Sequence, residues 1–204
     1  MVESAQYGKN MILRQQGIAV WLYGLSGAGK STIASHLKQL LDFRGIPSVL
    51  LDGDEVRQGI NNDLGFSEAD RFENIRRVAE IAALLVKQQQ VVICSLITPL
   101  RAHRLLAQGI LGENYLGVFI DCPLSVCESR DVKGLYEKAR RKQIRSFTGI
   151  SAPFERDAGD DLVIPTGEKT IEESVSAIWK QLHLFLYPTP VASSEAIEPY
   201  NMRD

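Results

Sequence analysis

The sequence GLSGAGKST, which runs from Gly24 to Thr32, matches the phosphate-binding pattern G-x-x-x-x-G-K-[ST] at every fixed position. The glycines of this pattern let consecutive backbone N–H groups turn inward around phosphate oxygens. Lys30 can reach the terminal phosphates, and the Ser31 hydroxyl can bind Mg²⁺. The stretch therefore predicts a site for a nucleoside triphosphate.

The segments on either side of this loop support the prediction. Residues 17–23 form the short apolar run of a buried strand, and residues 31–42 place Ile33, Leu37 and Leu41 on one face of a helix. A helix that begins directly behind the loop adds partial positive charge to the phosphate site. A chance match in a glycine-rich turn does not explain this context.

Strand and helix patterns alternate along the rest of the chain. Strand patterns occupy residues 48–51, 91–97, 116–121 and 161–164. Three helical patterns accompany them. The first begins at a capping box at residues 67–70 and ends at the glutamines at 88–90, and the other two occupy residues 101–111 and 171–186. The alternation predicts an α/β fold with a parallel sheet and helices on both faces, and the phosphate loop makes it a fold of the P-loop NTPase type. Its strand tips gather the phosphate loop, Asp52, Asp54 and Thr98 at one crevice.

Composition narrows the function classes. The 204 residues carry a net charge of −2, with 45% hydrophobic and 24% charged residues, which is typical of one globular domain and offers no general attraction to nucleic acid. We predict one P-loop domain at residues 17–186, an N-terminal extension at 1–16 and a flexible tail at 187–204. The sequence lacks a membrane span and a leader pattern, so we expect a cytoplasmic protein.

Three cysteines without ligand spacing argue against a disulfide framework or a zinc site, and Cys94 is predicted in the core.

A basic segment follows the fourth strand pattern. Seven Lys or Arg residues lie between Arg130 and Arg145, against Asp131 and Glu137. The segment is either a solvated helix face or a cationic cover for a phosphate site. Its position favours a mobile lid at about residues 130–150, which would exclude water and bring cations to the transferring phosphate.

Five segments, in this order and spacing, resemble the adenylyl-sulfate kinase family. They are the phosphate loop, LDGD at 51–54, RFENIRR at 71–77, DVKGLY at 131–136 and FTGI at 147–150. The resemblance covers about residues 15–185. It implies transfer of the ATP γ-phosphoryl group to the 3′-hydroxyl of adenosine 5′-phosphosulfate, with Mg²⁺. It also implies a homodimer and functional pairing with an ATP sulfurylase.

The resemblance also assigns the site residues. Lys30 and Asp52 are the catalytic candidates, and Asp52 is a base or an orienting group for the acceptor ribose unless Asp52 and Asp54 only form a turn. Phe66 and Phe147 sandwich the acceptor adenine, although core burial of Phe66 is an alternative. Ser31 is the metal ligand. The residues assigned to ATP are Gly24, Leu25, Ser26, Gly27, Ala28, Gly29, Lys30, Ser31, Thr32 and Arg130. Those assigned to the acceptor are Asp52, Asp54, Arg57, Phe66, Arg71, Asn74, Ile97, Thr98, Lys133, Ser146 and Phe147.

Two positions depart from the common family pattern. Thr98 stands where the family commonly has serine, and Glu55 stands where it commonly has asparagine. These positions leave open a related P-loop kinase with a different nucleotide-like acceptor. A nucleotide-binding regulatory module without phosphotransfer is a further alternative, because residues 42–45 and 131–134 fit the D-x-x-G pattern of GTPases. No Asn-Lys pair for guanine recognition occurs in the sequence.

Overall fold

Five parallel strands form the centre of the molecule. The structure is a computed structural model that describes residues 16–159 and 161–187, so the expected extension and tail lie outside the described residues apart from Gln16 and Tyr187. The strands are β1 (Ile18–Tyr23), β2 (Ser48–Asp52), β3 (Val91–Ser95), β4 (Tyr115–Asp121) and β5 (Leu162–Pro165). Their order across the sheet is β2-β3-β1-β4-β5. The predicted parallel sheet is confirmed.

Helices cover both faces of this sheet, as predicted. They are α1 (Lys30–Phe43), α2 (Gly53–Gln58), α3 (Glu68–Lys87), α4 (Arg101–Leu111), α5 (Leu124–Arg130), α6 (Leu135–Arg140) and α7 (Ile171–Leu186). Side chains of β1 alternate between two cores because successive residues of a strand point to opposite faces. Val20 and Leu22 pack with α1 and α7, whereas Trp21 and Tyr23 pack with α3 and α4. The central strand is thereby buried on both sides.

Local sequence signals explain where the long helices begin. The Ser67 hydroxyl accepts a hydrogen bond from the Asp70 backbone N–H, and the Asp70 carboxylate accepts one from the Ser67 backbone, so the predicted capping box is present at the start of α3. Thr170 and Glu173 form the same motif at the start of α7. Each box satisfies backbone donors that a helix leaves free at its first turn.

Three short helices were not predicted from the sequence. α2, α5 and α6 have only six or seven residues, which is too short for a helical period to be read from the sequence. β3 also ends at Ser95 rather than at Ile97, because β2 ends beside it at Asp52 and the chain then turns through Thr98 at φ +42°. Cys94 is buried in the core, as predicted, and Cys122 and Cys127 are buried and free as well.

Within the described ranges, none of the helices combines the length and the apolar character that a membrane crossing requires.

Candidate active site

A crevice of about 1200 Å³ opens at the carboxyl ends of the strands. The phosphate loop forms one side of it, and the other sides include the ends of β2 and β3, α2, the start of α3, the predicted lid and the segment between β5 and α7. All residues predicted for ATP, the acceptor or the metal line this crevice, except Gly24 and Leu25. Leu25 lines a neighbouring cavity of about 490 Å³ instead. The topology therefore brings together residues that are far apart in the sequence.

The phosphate loop has a backbone that only glycine tolerates at its start. A Cβ atom at Gly24 would lie 2.4 Å from the carbonyl oxygen of Ile120, and the residue has φ +152°. Gly27 and Gly29 also have positive φ, at +74° and +101°. The neighbouring strands hold the loop in place, because the Thr166 hydroxyl donates a hydrogen bond of 2.8 Å to the Ala28 carbonyl oxygen.

Lys30 is buried at the start of α1. Its ammonium group donates a hydrogen bond of 2.8 Å to the Leu25 carbonyl oxygen, within its own loop. Burial lowers the pKa of Lys30 from 10.5 to about 8, because removal from water disfavours the charged form. The protein thus holds a cation that an anionic ligand would stabilise.

Three oxygen-bearing side chains meet behind the loop. The Ser31 hydroxyl donates a hydrogen bond of 2.7 Å to Oδ2 of Asp52 and lies 3.4 Å from the Ser95 hydroxyl. The other oxygen of Asp52, Oδ1, accepts a hydrogen bond of 2.9 Å from the Asp54 backbone N–H and thereby caps α2. Asp52 is therefore more than a turn residue, since its carboxylate joins the helix start to the phosphate loop.

Phe66 and two arginines form the opposite wall of the crevice. Phe66 is 61% exposed, so the alternative that placed it in the core is wrong. The guanidinium carbons of Arg57 and Arg71 lie 4.6 Å and 5.7 Å from the centre of its ring. Burial lowers the pKa of both guanidinium groups from the ordinary value. Glu55 is exposed and is not among the residues that line the crevice.

Thr98 is buried at the floor of the crevice, with 1% of its surface exposed. Its hydroxyl oxygen accepts a hydrogen bond of 3.0 Å from the Trp21 indole N–H. Because a hydroxyl has one proton to donate and two lone pairs, the Thr98 proton stays available for another acceptor. The hydrogen-bonding capacity that a serine would offer here is retained.

The segment at residues 130–150 contacts the walls of the crevice at several points. The Tyr136 hydroxyl donates a hydrogen bond of 2.8 Å to the Ser26 carbonyl oxygen, and Lys133 pairs with Asp54. Arg71 donates a hydrogen bond of 2.8 Å to the Ser146 carbonyl oxygen. The segment is thus tied to the phosphate loop, to the tip of β2 and to α3.

Only three of the seven cations of this segment line the crevice, namely Arg130, Lys133 and Arg145. Arg140 and Arg141 instead pair with Glu128 and Glu137 on the surface. Cationic cover by the whole segment was therefore too broad an expectation, because short local helices turn part of it toward solvent. Phe147 is largely buried, with its ring packed edge-on against Tyr136 at 5.0 Å between ring centres.

Sequence reasoning missed several residues that line the crevice. They include Ser95, Tyr136, Thr166 and Lys169. Thr166 directly follows β5, so the rule that polar residues at strand tips meet at one edge would have identified it. Ser95 was missed because it lies within the apolar run predicted as a strand at residues 91–97.

Metal ligands of the carboxylate, imidazole and thiolate type are sparse. In the part of the chain that the structure describes, no group of three or more His, Cys, Asp and Glu side chains is arranged to hold a metal ion. The oxygens of Ser31, Asp52 and Ser95 nevertheless suit Mg²⁺, which prefers oxygen ligands and keeps several waters or phosphate oxygens of its own.

Comparisons with known proteins relate both the sequence and the fold of this chain to one family of kinases. The sequence model of the adenylylsulphate kinase family matches residues 16–165. The adenylyl-sulfate kinase of Paraburkholderia xenovorans is 49% identical over 167 residues, which cover 82% of this chain and 93% of that protein. The one of Phocaeicola vulgatus is 50% identical over 171 residues, covering 83% and 84% of the two chains. The solved structure of the Mycobacterium tuberculosis APS kinase CysC in complex with AMPPNP and APS is 42% identical, with a TM-score of 0.80 and coverage of 83% of this chain and 99% of that chain.

Proposed function

The chain belongs to the adenylylsulphate kinase family, and we propose that the crevice residues described above carry out the reaction of that family. The γ-phosphoryl group of ATP is transferred to the 3′-hydroxyl group of adenosine 5′-phosphosulfate (APS), giving 3′-phosphoadenosine 5′-phosphosulfate. The observation that carries this assignment is the shape of the crevice. One space of about 1200 Å³ has a phosphate loop on one side and an exposed aromatic ring flanked by two arginines on the other.

The phosphate loop and its neighbours form the donor side. In-line phosphoryl transfer depends mainly on positioning and charge neutralisation. Backbone N–H groups of residues 26–32 hold the phosphates, and Lys30 leaves its bond to the Leu25 carbonyl to bind the terminal phosphate oxygens. Arg130, whose guanidinium donates to the carbonyl oxygens of Gly27 and Thr166, lies beside the loop and stacks on the ATP adenine.

Ser31, Asp52 and Ser95 are the side chains that would hold Mg²⁺ together with the ATP phosphates. Their oxygens already lie within hydrogen-bonding reach of one another. The ion supplies neutralisation of the charge that develops on the phosphoryl oxygens. Asp52 also lies at the junction between the phosphate loop and the acceptor wall, where it orients the acceptor hydroxyl or accepts its proton.

The opposite wall binds the acceptor. Phe66 offers an exposed ring for the APS adenine, and the buried edge of Phe147 completes the sandwich. Arg57 and Arg71 offer guanidinium groups that match the oxyanions of the phosphosulfate. Asn74, Ile97, Thr98, Lys133 and Ser146 line the same wall, with Asp54 paired to Lys133.

A comparison of acceptors tests this function. The purified protein, ATP and Mg²⁺ are incubated with APS or with a panel of other adenine and guanine nucleotides, and ADP release is measured. The product is then analysed to locate the new phosphate. We expect turnover with micromolar APS and a phosphate on the 3′-oxygen. Turnover with another nucleotide but not with APS would overturn the assignment.

Three further features are proposed from the family resemblance: a homodimer, functional pairing with an ATP sulfurylase, and a cytoplasmic location. Light scattering of the purified chain tests the first, and a twofold mass is the expected result. A coupled assay with ATP, sulfate and an ATP sulfurylase tests the second, in which the present chain should consume APS as it forms.

A further inference from the structure

Two buried asparagines meet at the edge of the acceptor wall. Asn74 lies on α3 and lines the crevice, with only 4% of its surface exposed. Asn61 lies in the turn after α2 and is 0% exposed. The side-chain NH₂ group of Asn61 donates a hydrogen bond of 3.0 Å to the side-chain oxygen of Asn74. The two amides are 13 residues apart in the sequence and are joined by this bond.

This bond decides which end of Asn74 faces the crevice. An asparagine amide has an accepting oxygen at one end and a donating NH₂ group at the other. Because Asn61 engages the oxygen, the NH₂ group is the end of Asn74 that is left for a ligand in the crevice. Phosphate and sulfate oxygens accept hydrogen bonds, so a wall that binds them requires hydrogen-bond donors such as this NH₂ group.

The turn holds Asn61 firmly. Its backbone N–H donates to the Val56 carbonyl oxygen at 2.9 Å, and its carbonyl oxygen accepts from the Leu64 N–H at 3.1 Å. The side-chain oxygen of Asn61, in contrast, is buried without a hydrogen-bond partner in the described structure. An unpaired buried amide oxygen is unfavourable for folding, so packing alone does not account for an asparagine at this position.

We propose that Asn61 is a positioning residue of the acceptor site, which holds the Asn74 amide with its NH₂ group toward the oxyanions or ribose oxygens of the acceptor. This inference rests on the proposed function, because it takes Asn74 to be an acceptor ligand. Asn61 itself touches neither substrate. It acts through Asn74 alone, so the effect of substituting Asn61 should disappear once Asn74 is removed.

A double-mutant cycle tests the inference. The variants are Asn61→Ala, Asn74→Ala and the double variant, with Asn62→Ala as a control because Asn62 is the exposed neighbour in the same turn. We measure KM for APS, KM for ATP, kcat and thermal unfolding for each. Asn61→Ala should raise KM for APS about three- to tenfold, with KM for ATP changed by less than about twofold, which is the range for loss of one hydrogen bond. In the Asn74→Ala background the same substitution should not change KM for APS.

The outcomes distinguish failure of the Asn61 role from failure of the proposed function. If Asn74→Ala leaves KM for APS unchanged while the enzyme still uses APS, Asn74 is not an acceptor ligand, and this inference fails although the activity stands. If Asn61→Ala raises KM for APS equally in both backgrounds, Asn61 acts through the general shape of the turn and the inference is overturned.

A measurement on the wild-type protein covers the case in which Asn61→Ala does not fold. The side-chain NH₂ signals of Asn61 and Asn74 are assigned by NMR, using Asn74→Ala to identify one of them. We expect the Asn61 NH₂ protons to exchange slowly with water, and the Asn74 NH₂ signal to shift when APS is added with ADP. Fast exchange at Asn61, or an Asn74 signal that APS does not move, would contradict the inference.

Discussion

At the scale of single residues, Lys30 combines two properties that a phosphate-binding cation needs. It is buried at the phosphate loop, and its ammonium group donates a short hydrogen bond to the Leu25 carbonyl oxygen. In the proposed reaction, a γ-phosphoryl group that enters the loop would replace this carbonyl by oxygens of full negative charge. The contact with the transferring group would then be strongest where charge develops.

Substitution of Lys30 should therefore lower kcat much more than it weakens binding. We expect Lys30→Ala to reduce kcat at least about a hundredfold, which is the effect of losing one preorganised charge-stabilising donor. Steady-state kinetics with saturating ATP and APS measure it. Lys38→Ala is the control, because Lys38 is on the same helix and pairs with Asp42 on its exposed face. A nearly normal kcat in Lys30→Ala would remove Lys30 from the mechanism.

The lowered pKa of Lys30 predicts proton uptake when ATP binds. With a pKa of about 8 in the free protein, about half of the Lys30 side chains are neutral at pH 8. Bound phosphates raise the pKa of Lys30, so these neutral side chains take up a proton. Calorimetry with Mg²⁺ and ATP in buffers of different ionisation enthalpy should show uptake of about half a proton at pH 8 and almost none at pH 6.5. Lys30→Met should abolish the uptake at pH 8, and uptake that persists in this variant would mean that another group titrates.

Phe66 is a large aromatic residue that the fold leaves exposed beside two arginines. Stacking of a base on an aromatic ring is worth about 1–3 kcal/mol, so Phe66→Ala should raise KM for APS about 5- to 150-fold. Phe66→Tyr, which keeps a ring, should stay within about threefold of the wild type. Phe72→Ala serves as the matched control, because Phe72 is also a partly exposed phenylalanine of the same region but does not line the crevice. Equal effects of Phe66→Ala and Phe72→Ala would argue against stacking.

At the scale of secondary-structure elements, α3 joins the fold to the acceptor site. Its buried face packs on the sheet through Ile75, Val78 and Ala82, and its first turns carry Arg71 and Asn74 into the crevice. The helix begins at the Ser67 capping box, just after Phe66. The position where α3 begins therefore determines where Arg71 and Asn74 lie relative to the strand ends.

Loss of this cap should destabilise the protein. Ser67→Ala removes the hydroxyl that satisfies the Asp70 backbone N–H, which typically costs about 1 kcal/mol of unfolding free energy. Urea unfolding followed by circular dichroism measures the change. Ser129→Ala is the control, because Ser129 is exposed and its hydroxyl donates only to the Val126 carbonyl oxygen. A midpoint of unfolding equal to that of the wild type would show that the box contributes nothing.

The elements also show what sequence patterns can predict. The five strands and the four long helices have periods and end signals that span many residues, as in the capping box at Ser67, and they were predicted to within a few residues. The short helices depend on single contacts, such as the Asp52 cap of α2, the Asp131 carboxylate that accepts from the Tyr136 and Glu137 backbone N–H groups in α6, and the bond of Tyr136 to Ser26. Such contacts leave no periodic pattern in the sequence. For the same reason, the sequence predicted which residues meet at the strand tips but not which lid cations turn toward solvent.

At the scale of the whole molecule, the crevice lies between the strand tips and a segment that is only partly anchored in the core. The phosphate loop and Thr98 follow β1 and β3, whose side chains are buried in two cores, and Asp52 ends the half-buried β2. The segment at residues 131–150 has Tyr136, Ala139 and Phe147 in the core, whereas it reaches the opposite wall through the exposed ion pair of Lys133 with Asp54 and the hydrogen bond of Arg71 to the Ser146 carbonyl. Exposed contacts of this kind contribute little to stability, so we expect the segment to open at this wall more easily than at its core-anchored side.

Hydrogen–deuterium exchange can test this division of the molecule. With a non-hydrolysable ATP analogue, Mg²⁺ and APS all bound, amide exchange in residues 131–150 should slow by at least about tenfold, because both ligands supply anionic partners for Lys133 and Arg145 and hold the segment down. Each ligand alone should have a smaller effect, since it occupies only one side of the crevice. α4 is the internal control, because none of its residues lines the crevice and its exchange should not change. Equal slowing in α4 would indicate global stabilisation, and unchanged exchange in residues 131–150 would show that this segment is a fixed wall rather than a lid.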